Sequence, residues 1–540
     1  MNILTFFSAH ILTIVLFGLS IIIGFISSRN EKINNLKNSF IFKDFFFYCF
    51  LFLILGLLFV VNYYPEYSFF VGDDYAQYLS QANSILNNTL MNLKNDYLKM
   101  NEGNSFDIPL FVNWGYCFIL AVVQKIVGNA PIYFKLINFL FYFGSIIIFY
   151  KISKRYLNKT NAKICSLIIS LNFAILPYIG QITPDILVTS FFIYSMYIIL
   201  KIYEDKETSV KNFIILGLLV FTTYMIKANG ALLIGLIVIL NIKEFIKEKD
   251  FFKFLKRTLP IFIFLFLMLC FSRLIFTDSG YSKDFDTFSL LIVFSNIKKY
   301  FFYFINSLDL NTLFFNFPYI EIILGLIFSL FFIIIPFIKK EKFKKFNVIY
   351  LFNTIYFISI IVYKYCCLRY IFPILGFVIL QFFYFNESNT INENKFKINF
   401  INKLLSCWGI SISLIYLLFG LILFSSNFNY ERNEVFNYIE NNTNTNDIFY
   451  VRNPRTLYFE TGRIGHHIGY IYEDCNLSDE ELLNCNDFDE GIGNCDYLLY
   501  ENRYKDLKDH IILDYYLKDN PNSFEIIYFN EEFILYKRKD

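Results

Sequence analysis

"FFFYCFLFLILGLLFVVNYYPEYSFFVGDDYAQYLS", residues 45–80, joins an uncharged run, Phe45–Val61, to two adjacent carboxylates, Asp73 and Asp74. As a helix the run reaches about 25 Å, close to the roughly 30 Å of hydrocarbon in a bilayer. Each of the two acids would cost roughly 2.5–3.5 kcal/mol at the centre of that layer. The pair therefore belongs at or above the interface, in a mouth lined by Phe and Tyr. An apolar surrounding raises the basicity of a carboxylate, which suits general-base chemistry; a solvated loop start is the plainer alternative.

The same grease runs through the chain. Of 540 residues 56% are hydrophobic, 21% aromatic and only 17% charged, with 70 Phe and a mean hydropathy of +0.46. A soluble protein of this size could not cover so much apolar surface with so few charges. The apolar residues come in blocks of spanning length. Together these features identify a polytopic α-helical membrane protein. The first block, Phe6–Ile26, lacks a preceding Lys or Arg and a small-residue cleavage site, so it reads as a retained span and not a signal peptide.

Charge sets the expected topology. Residues 426–540 carry 23 Asp/Glu against 11 Lys/Arg, which leaves 23 acids and 37 bases elsewhere. Short basic connections lie at 28–43, 151–163, 201–211, 243–257, 339–345 and 394–403. The positive-inside bias puts all six in the cytoplasm, with an even number of spans between neighbours. Spans near 6–27, 44–62, 132–150, 162–180, 185–203, 211–226, 229–242, 258–276, 319–338, 346–363, 367–385 and 403–425 satisfy that parity, about 12 in all. "FVNWGYCFILAVVQKIVG" (111–128) would break it, and is expected to lie in the outer interface as a helix. The expected domains are an extra N-terminal span and cytoplasmic loop (1–43), a transmembrane catalytic module (44–425) with an outer loop at 63–131, and a small C-terminal α/β extracytoplasmic domain (426–540). In that last part "NEVFNYIENN" has helical spacing, "DIFYV" and "CDYLLYE" read as strands, and two more strands meet at a turn over Asn530–Glu532.

Four further positions stand out at the outer face. Asp185 follows Pro184 at the start of a span, where the N-terminal helix dipole alone would favour an acid. Lys227, in "TTYMIKANGALL", separates two short apolar runs, and Arg369 with Tyr370 opens "LRYIFPILG". A cation at a span end ordinarily snorkels to headgroups. Two cations and two acidic positions at one face also suit a lipid-linked phosphate. "RIGHHIGY" (463–470) reads as an exposed turn more than a ligand pair. Cys475, Cys485 and Cys495 allow one disulfide at most and match no zinc spacing. No Walker A loop, dinucleotide fingerprint or Gly-x-Ser-x-Gly elbow is present, and the scattered bases suggest no nucleic acid.

In order, these elements resemble the GT-C integral-membrane glycosyltransferases, in the branch shared by protein O-mannosyltransferases and the aminoarabinose transferases of lipid A. Asp73 matches the family's catalytic Asp, Asp74 stands where its Glu would be, and Tyr78 fits its aromatic position. Asp185, Lys227 and Arg369-Tyr370 with Pro373 match the later acidic, "T-K" and "RY-x-x-P" elements, and "NPRTLYFETGR" (453–463) its Arg-rich stretch. An extra leading span, a single Pro109 where the family has Pro-Pro, and no counterpart of a family His are departures. The resemblance implies transfer of a sugar from a polyprenyl-phosphate donor to an envelope acceptor (lipid, surface glycan or protein). The reaction would lie on the outer face of the cell (inner) membrane, in contact with membrane lipid. Asp73 would act as base with inversion, and Lys227 and Arg369 would hold the leaving phosphate. It assigns no certain cofactor and leaves a divalent cation open. The rival readings are a transporter, whose ionisable groups should lie nearer mid-span, and a non-catalytic polysaccharide-assembly protein.

Overall fold

The structure, a computed structural model, describes residues 40–61, 74–101, 110–112, 114–172, 174–271, 290–307, 340–363, 366–386, 430–467, 492, 495–502, 513–514, 516–518 and 520–539. The expected spans at 6–27, 319–338 and 403–425, and Asp73, Cys475 and Cys485, lie outside these.

Helices come first. They are α1 (Phe40–Val61), α2 (Asp74–Asn87), α3 (Leu90–Asn101), α4 (Trp114–Val127), α5 (Pro131–Tyr156), α6 (Lys159–Ser170) and a one-turn α7 (Leu176–Ile179). They continue with α8 (Pro184–Tyr203), α9 (Val210–Ile226), α10 (Leu232–Glu248), α11 (Phe251–Cys270), α12 (Leu290–Ser307), α13 (Lys340–Val362) and α14 (Phe372–Asn386). Among the described residues five helical stretches are long and apolar enough to cross a membrane: Pro131–Tyr156, Pro184–Tyr203, Ala228–Glu248, Lys344–Val362 and Leu368–Phe385. Phe262, Phe266 and Leu269 of α11 are more than half exposed, as expected for side chains facing lipid rather than water. The chain is an integral membrane protein.

Several polar groups inside the bundle are met by internal partners, as a low-dielectric interior favours. Tyr142 on α5 donates to the Ile169 carbonyl at 2.8 Å, and Tyr150 to Asp44 at 2.9 Å. Ser190 returns its hydroxyl to Ile186 at 2.9 Å within α8. Gly217 lets α9 and α11 close together, since a Cβ there would meet the Ile263 side chain at 2.8 Å.

Two expectations are modified. The stretch 162–180 is not one helix: α6 stops at Ser170, Asn172 Oδ1 takes the Ala174 N–H at 3.1 Å, and Pro177 sits inside α7. That side-chain bond competes with helix continuation. The loop 63–131 contains two helices, α2 and α3, so Asp74 sits at a helix N-terminus rather than in open coil. The segment 111–128, expected in the interface, holds a helix of 14 residues, α4. At about 21 Å it is too short to cross the bilayer.

The C-terminal unit holds α15 (Tyr430–Asn442), β1 (Ile448–Val451), α16 (Pro454–Thr461), β2 (Ile464–His467), β3 (Tyr497–Glu501), β4 (Phe524–Phe529) and β5 (Phe533–Arg538). The five strands form one sheet in the order β2-β1-β3-β5-β4, with β1 parallel to both neighbours and the remaining pairs antiparallel. Strand residues alternate between faces. Phe449, Val451, Leu499 and Leu535 pack with Val435 and Ile439 of α15. Tyr450, Leu498 and Tyr500 face Leu513 and Phe524 on the other side. The turn after β4 is closed by Asn530, whose N–H donates to the Phe533 carbonyl at 2.9 Å. "RIGHHIGY" is corrected: Ile464–His467 is the edge strand β2, paired with Ile448–Val451. Cys495 is a buried free thiol.

Candidate active site

Asp74 is the first residue of α2, where unsatisfied backbone N–H groups favour a negative charge. Asp185 occupies the first turn of α8 after Pro184, whose fixed φ and missing N–H suit that position. Lys227 ends α9 in an extended conformation, φ −157° and ψ 134°. The turn Ala228–Ala231 then reverses the chain, with the Gly230 N–H donating to the Lys227 carbonyl at 2.9 Å. Arg369 lies in the turn Leu368–Ile371 that leads into α14. α2, α8 and α14 start where α9 ends, so all four charges meet at one end of the bundle.

They meet as a continuous network. Lys227 Nζ lies 2.5 Å from Asp185 Oδ1 and 4.7 Å from the centre of the Tyr370 ring. Arg369 Nη1 lies 2.9 Å from Asp74 Oδ2 and 3.6 Å from Asp185 Oδ2. Asp185 is 1% exposed, so its charge is held by cations and not by water. Arg369 Nε is buried and donates to nothing, which leaves one N–H of a cationic fork open for an acceptor.

A fifth member was not singled out from the sequence. Arg455, at the start of α16, places Nη2 3.5 Å from Asp74 Oδ1 and Nη1 2.5 Å from Gln77 Oε1. Burial pushes the Asp74 carboxyl up, but the charges of Arg369, Arg455 and Lys227 outweigh this and hold it below its ordinary value. Two further contacts tie the C-terminal unit to the same helices. Arg432 donates to both the Tyr75 hydroxyl and Glu460 Oε1, and Tyr458 donates to Asp96 Oδ2 at 2.6 Å. Burial raises the Glu460 carboxyl despite Arg432 beside it. Arg463, the last residue of the Arg-rich stretch, turns away and holds the Glu440, Thr443 and Thr461 carbonyls.

Tyr78, one turn along α2 from Asp74, is buried and meets the Tyr116 ring edge-on at 5.1 Å. Among the described residues no group of three or more His, Cys, Asp or Glu side chains is placed to hold a metal ion. The arrangement brings two carboxylates and three cations together at one end of the bundle, and its net positive charge suits an anionic group such as a phosphate.

Gly230 is what lets the Lys227 turn close. A Cβ there would overlap the backbone of Thr223 and Tyr224. Gly230→Ala should cost about 1–3 kcal/mol through overpacking and displace Lys227 from Asp185. A lowered thermal midpoint in detergent checks this, and an unchanged midpoint would contradict the tight turn.

Residues 108–276 match the family model described as dolichyl-phosphate-mannose-protein mannosyltransferase. That stretch includes Asp185 and Lys227 and stops short of Arg369. The crystal structure of ArnT from Cupriavidus metallidurans in the apo state is similar over 89% of this chain and 96% of that one, with a TM-score of 0.54 and 11% identity. The chain has the fold of a GT-C glycosyltransferase. ArnT bound to undecaprenyl phosphate matches with a TM-score of 0.50 at 11% identity, over 90% of this chain and 97% of that one. The oligosaccharyltransferase of Archaeoglobus fulgidus in the apo form gives 0.51 at 10% identity, over 92% of this chain and 74% of that one. No curated protein matches the chain by sequence. In this GT-C fold the charged network stands where α2, α8, α9 and α14 converge.

Proposed function

We propose that the chain moves a sugar from a polyprenyl-phosphate donor to a hydroxyl-bearing envelope acceptor on the outer face of the cell membrane. The observation that carries this reading is the convergence of Asp74, Asp185, Lys227 and Arg369 from four separate elements onto one network. It is supported by the dolichyl-phosphate family model over 108–276 and by the likeness to an ArnT that binds undecaprenyl phosphate.

In the proposed reaction the acceptor oxygen attacks the anomeric carbon from the face opposite the phosphate, giving inversion. Asp73 takes the acceptor's proton as the new C–O bond forms. The bond from the anomeric carbon to the phosphate oxygen breaks, and polyprenyl phosphate leaves with its electron pair. Lys227 and the open Nε of Arg369 hold the charge that develops there. Asp74 and Asp185 keep the two cations in place, Tyr370 lies over Lys227, and Tyr78 lines the acceptor side. The helix α4 walls the donor groove, and 426–540 lies outside the membrane with Arg455 reaching back into the site.

Mass spectrometry of the cell envelope tests the proposal. A strain lacking the protein should lose one defined sugar substituent, restored by the intact gene. An unchanged envelope together with impaired uptake of a solute would instead support a transporter.

A further inference from the structure

Beside the Asp185 carboxylate lies a set of buried polar atoms that the ion network does not use. Thr183 stands at the N-cap of α8, where a threonine ordinarily lends its hydroxyl to the first N–H groups of the helix. Here it makes no capping bond, and its Oγ1 is buried without a partner. Asn138 on α5 donates Nδ2 to the Gln181 carbonyl at 2.8 Å and to the Thr183 carbonyl at 3.3 Å. Those two bonds fix which end of the amide is which. Its Oδ1 therefore faces away as an acceptor, buried and unbonded. Gln181 Oε1 is in the same condition. The Tyr116 hydroxyl on α4 comes within reach of the Asn138 amide and within electrostatic reach of Asp185, but not in the geometry of a completed hydrogen bond. All four residues are less than one-tenth exposed.

Buried polar groups are nearly always bonded, because an unmet donor or acceptor forfeits its hydration. Four such groups from α4, α5 and the approach to α8, gathered beside a phosphate-binding network, call for a shared partner. Their chemistry describes it. Two amide oxygens only accept, two hydroxyls donate or accept, and none is charged. Asp185 already faces Lys227 and Arg369, so a further ammonium group would meet two cations and no open acid. Neighbouring hydroxyls on an uncharged ring match the set.

We propose that Tyr116, Asn138, Gln181 and Thr183 form the subsite for the donor's sugar ring, and that it takes a neutral hexose or pentose in preference to an amino sugar. This rests on the reading of the chain as a polyprenyl-phosphate-dependent transferase. Lys227 and Arg369 take the phosphate, and the adjoining hydroxyl-binding group takes the sugar.

Thr183→Val and Tyr116→Phe each remove a hydroxyl that bonds nothing in the structure, so neither should harm the fold. Affinities of the full-length protein in detergent are measured for undecaprenyl phosphate carrying no sugar, a hexose, a pentose or a 4-aminopentose, alongside thermal midpoints. The unaltered protein should bind a hexosyl or pentosyl lipid at least tenfold more tightly than the bare lipid, and the aminopentosyl lipid no more tightly. Each variant should lose at least fivefold of that preference while keeping bare-lipid affinity and midpoint. A preference intact in both variants overturns the subsite. A lowered midpoint with intact preference overturns it too, and assigns the atoms to buried waters. Preference for the aminopentosyl lipid, or for none of the sugars, also overturns it. If the unaltered protein does not bind even the bare lipid, the donor reading itself fails and the subsite falls with it.

Discussion

Arg369→Met should weaken binding of undecaprenyl phosphate by roughly ten- to a hundredfold and destabilise the protein. Among the described residues Arg369 is the one cation that touches both carboxylates, at 2.9 Å to Asp74 and 3.6 Å to Asp185. Its buried Nε is also the open donor available to a phosphate oxygen. A charged hydrogen bond contributes about 1.5–3 kcal/mol, and about 1.4 kcal/mol is tenfold in affinity. Breaking a buried ion pair costs roughly 3–5 kcal/mol because a charge is left unmet. The lower end applies here, since Lys227 still faces Asp185 and the Arg369 side chain is 22% exposed. Arg369→Lys should recover part of the stability and little of the affinity, because a point charge cannot span both acids and the phosphate. Titration with undecaprenyl phosphate and thermal unfolding in detergent read both effects. Unchanged affinity in the Met variant would remove Arg369 from the donor site.

The site was partly legible because an ionisable residue in an apolar chain carries information that it lacks in a soluble one. Asp185, Lys227 and Arg369 stand at the ends of long uncharged runs, and parity placed those ends on one side. The structure brings all three together with Asp74. Arg455 shows where that signal stops. It lies in an acidic, ordinary-looking segment, where a cation is unremarkable, and only the docking of α16 on α2 carries it to Asp74. The resemblance pointed to its stretch without distinguishing it from Arg463, which serves the local fold.

The polar group at Tyr116, Asn138, Gln181 and Thr183 was silent for another reason. Single uncharged polar residues are common in spans, and nothing in sequence reveals that they share one spot or lack partners. The break between α6 and α7 was missed because hydropathy averages over Asn172 and Pro177, whereas the backbone responds to each. The histidine pair shows the converse error. Adjacent polar residues suggested a turn, but an edge strand with one neighbour tolerates them when backbone pairing with β1 supplies the order.

Asp73→Asn should lower sugar transfer by roughly 10²–10⁴-fold, the range a general base contributes, with donor affinity kept. Asp74→Asn should act differently, and pH separates the two. Asp74 is held below its ordinary value by Arg369, Arg455 and Lys227, so it stays ionised throughout the working range and is a weak proton acceptor. For a carboxyl whose folded pKa is depressed, the stabilising contribution is fully present above the unfolded value of about 3.9. It is lost as pH falls through the lower folded value. The midpoint difference between the unaltered protein and Asp74→Asn should therefore be constant from pH 5 to 8 and shrink below about pH 4. A difference that shrinks already between pH 5 and 7 would mean that Asp74 titrates near neutrality and is free to serve as base. For transfer, Asp74→Asn should retain the acid limb of kcat/KM against pH, and Asp73→Asn should abolish it. If Asp74→Asn removes transfer and its acid limb while Asp73→Asn leaves both in place, the two carboxylates exchange roles. The base would then be the one already bound to two arginines, and the step would need Arg369 or Arg455 to let go before a proton could move.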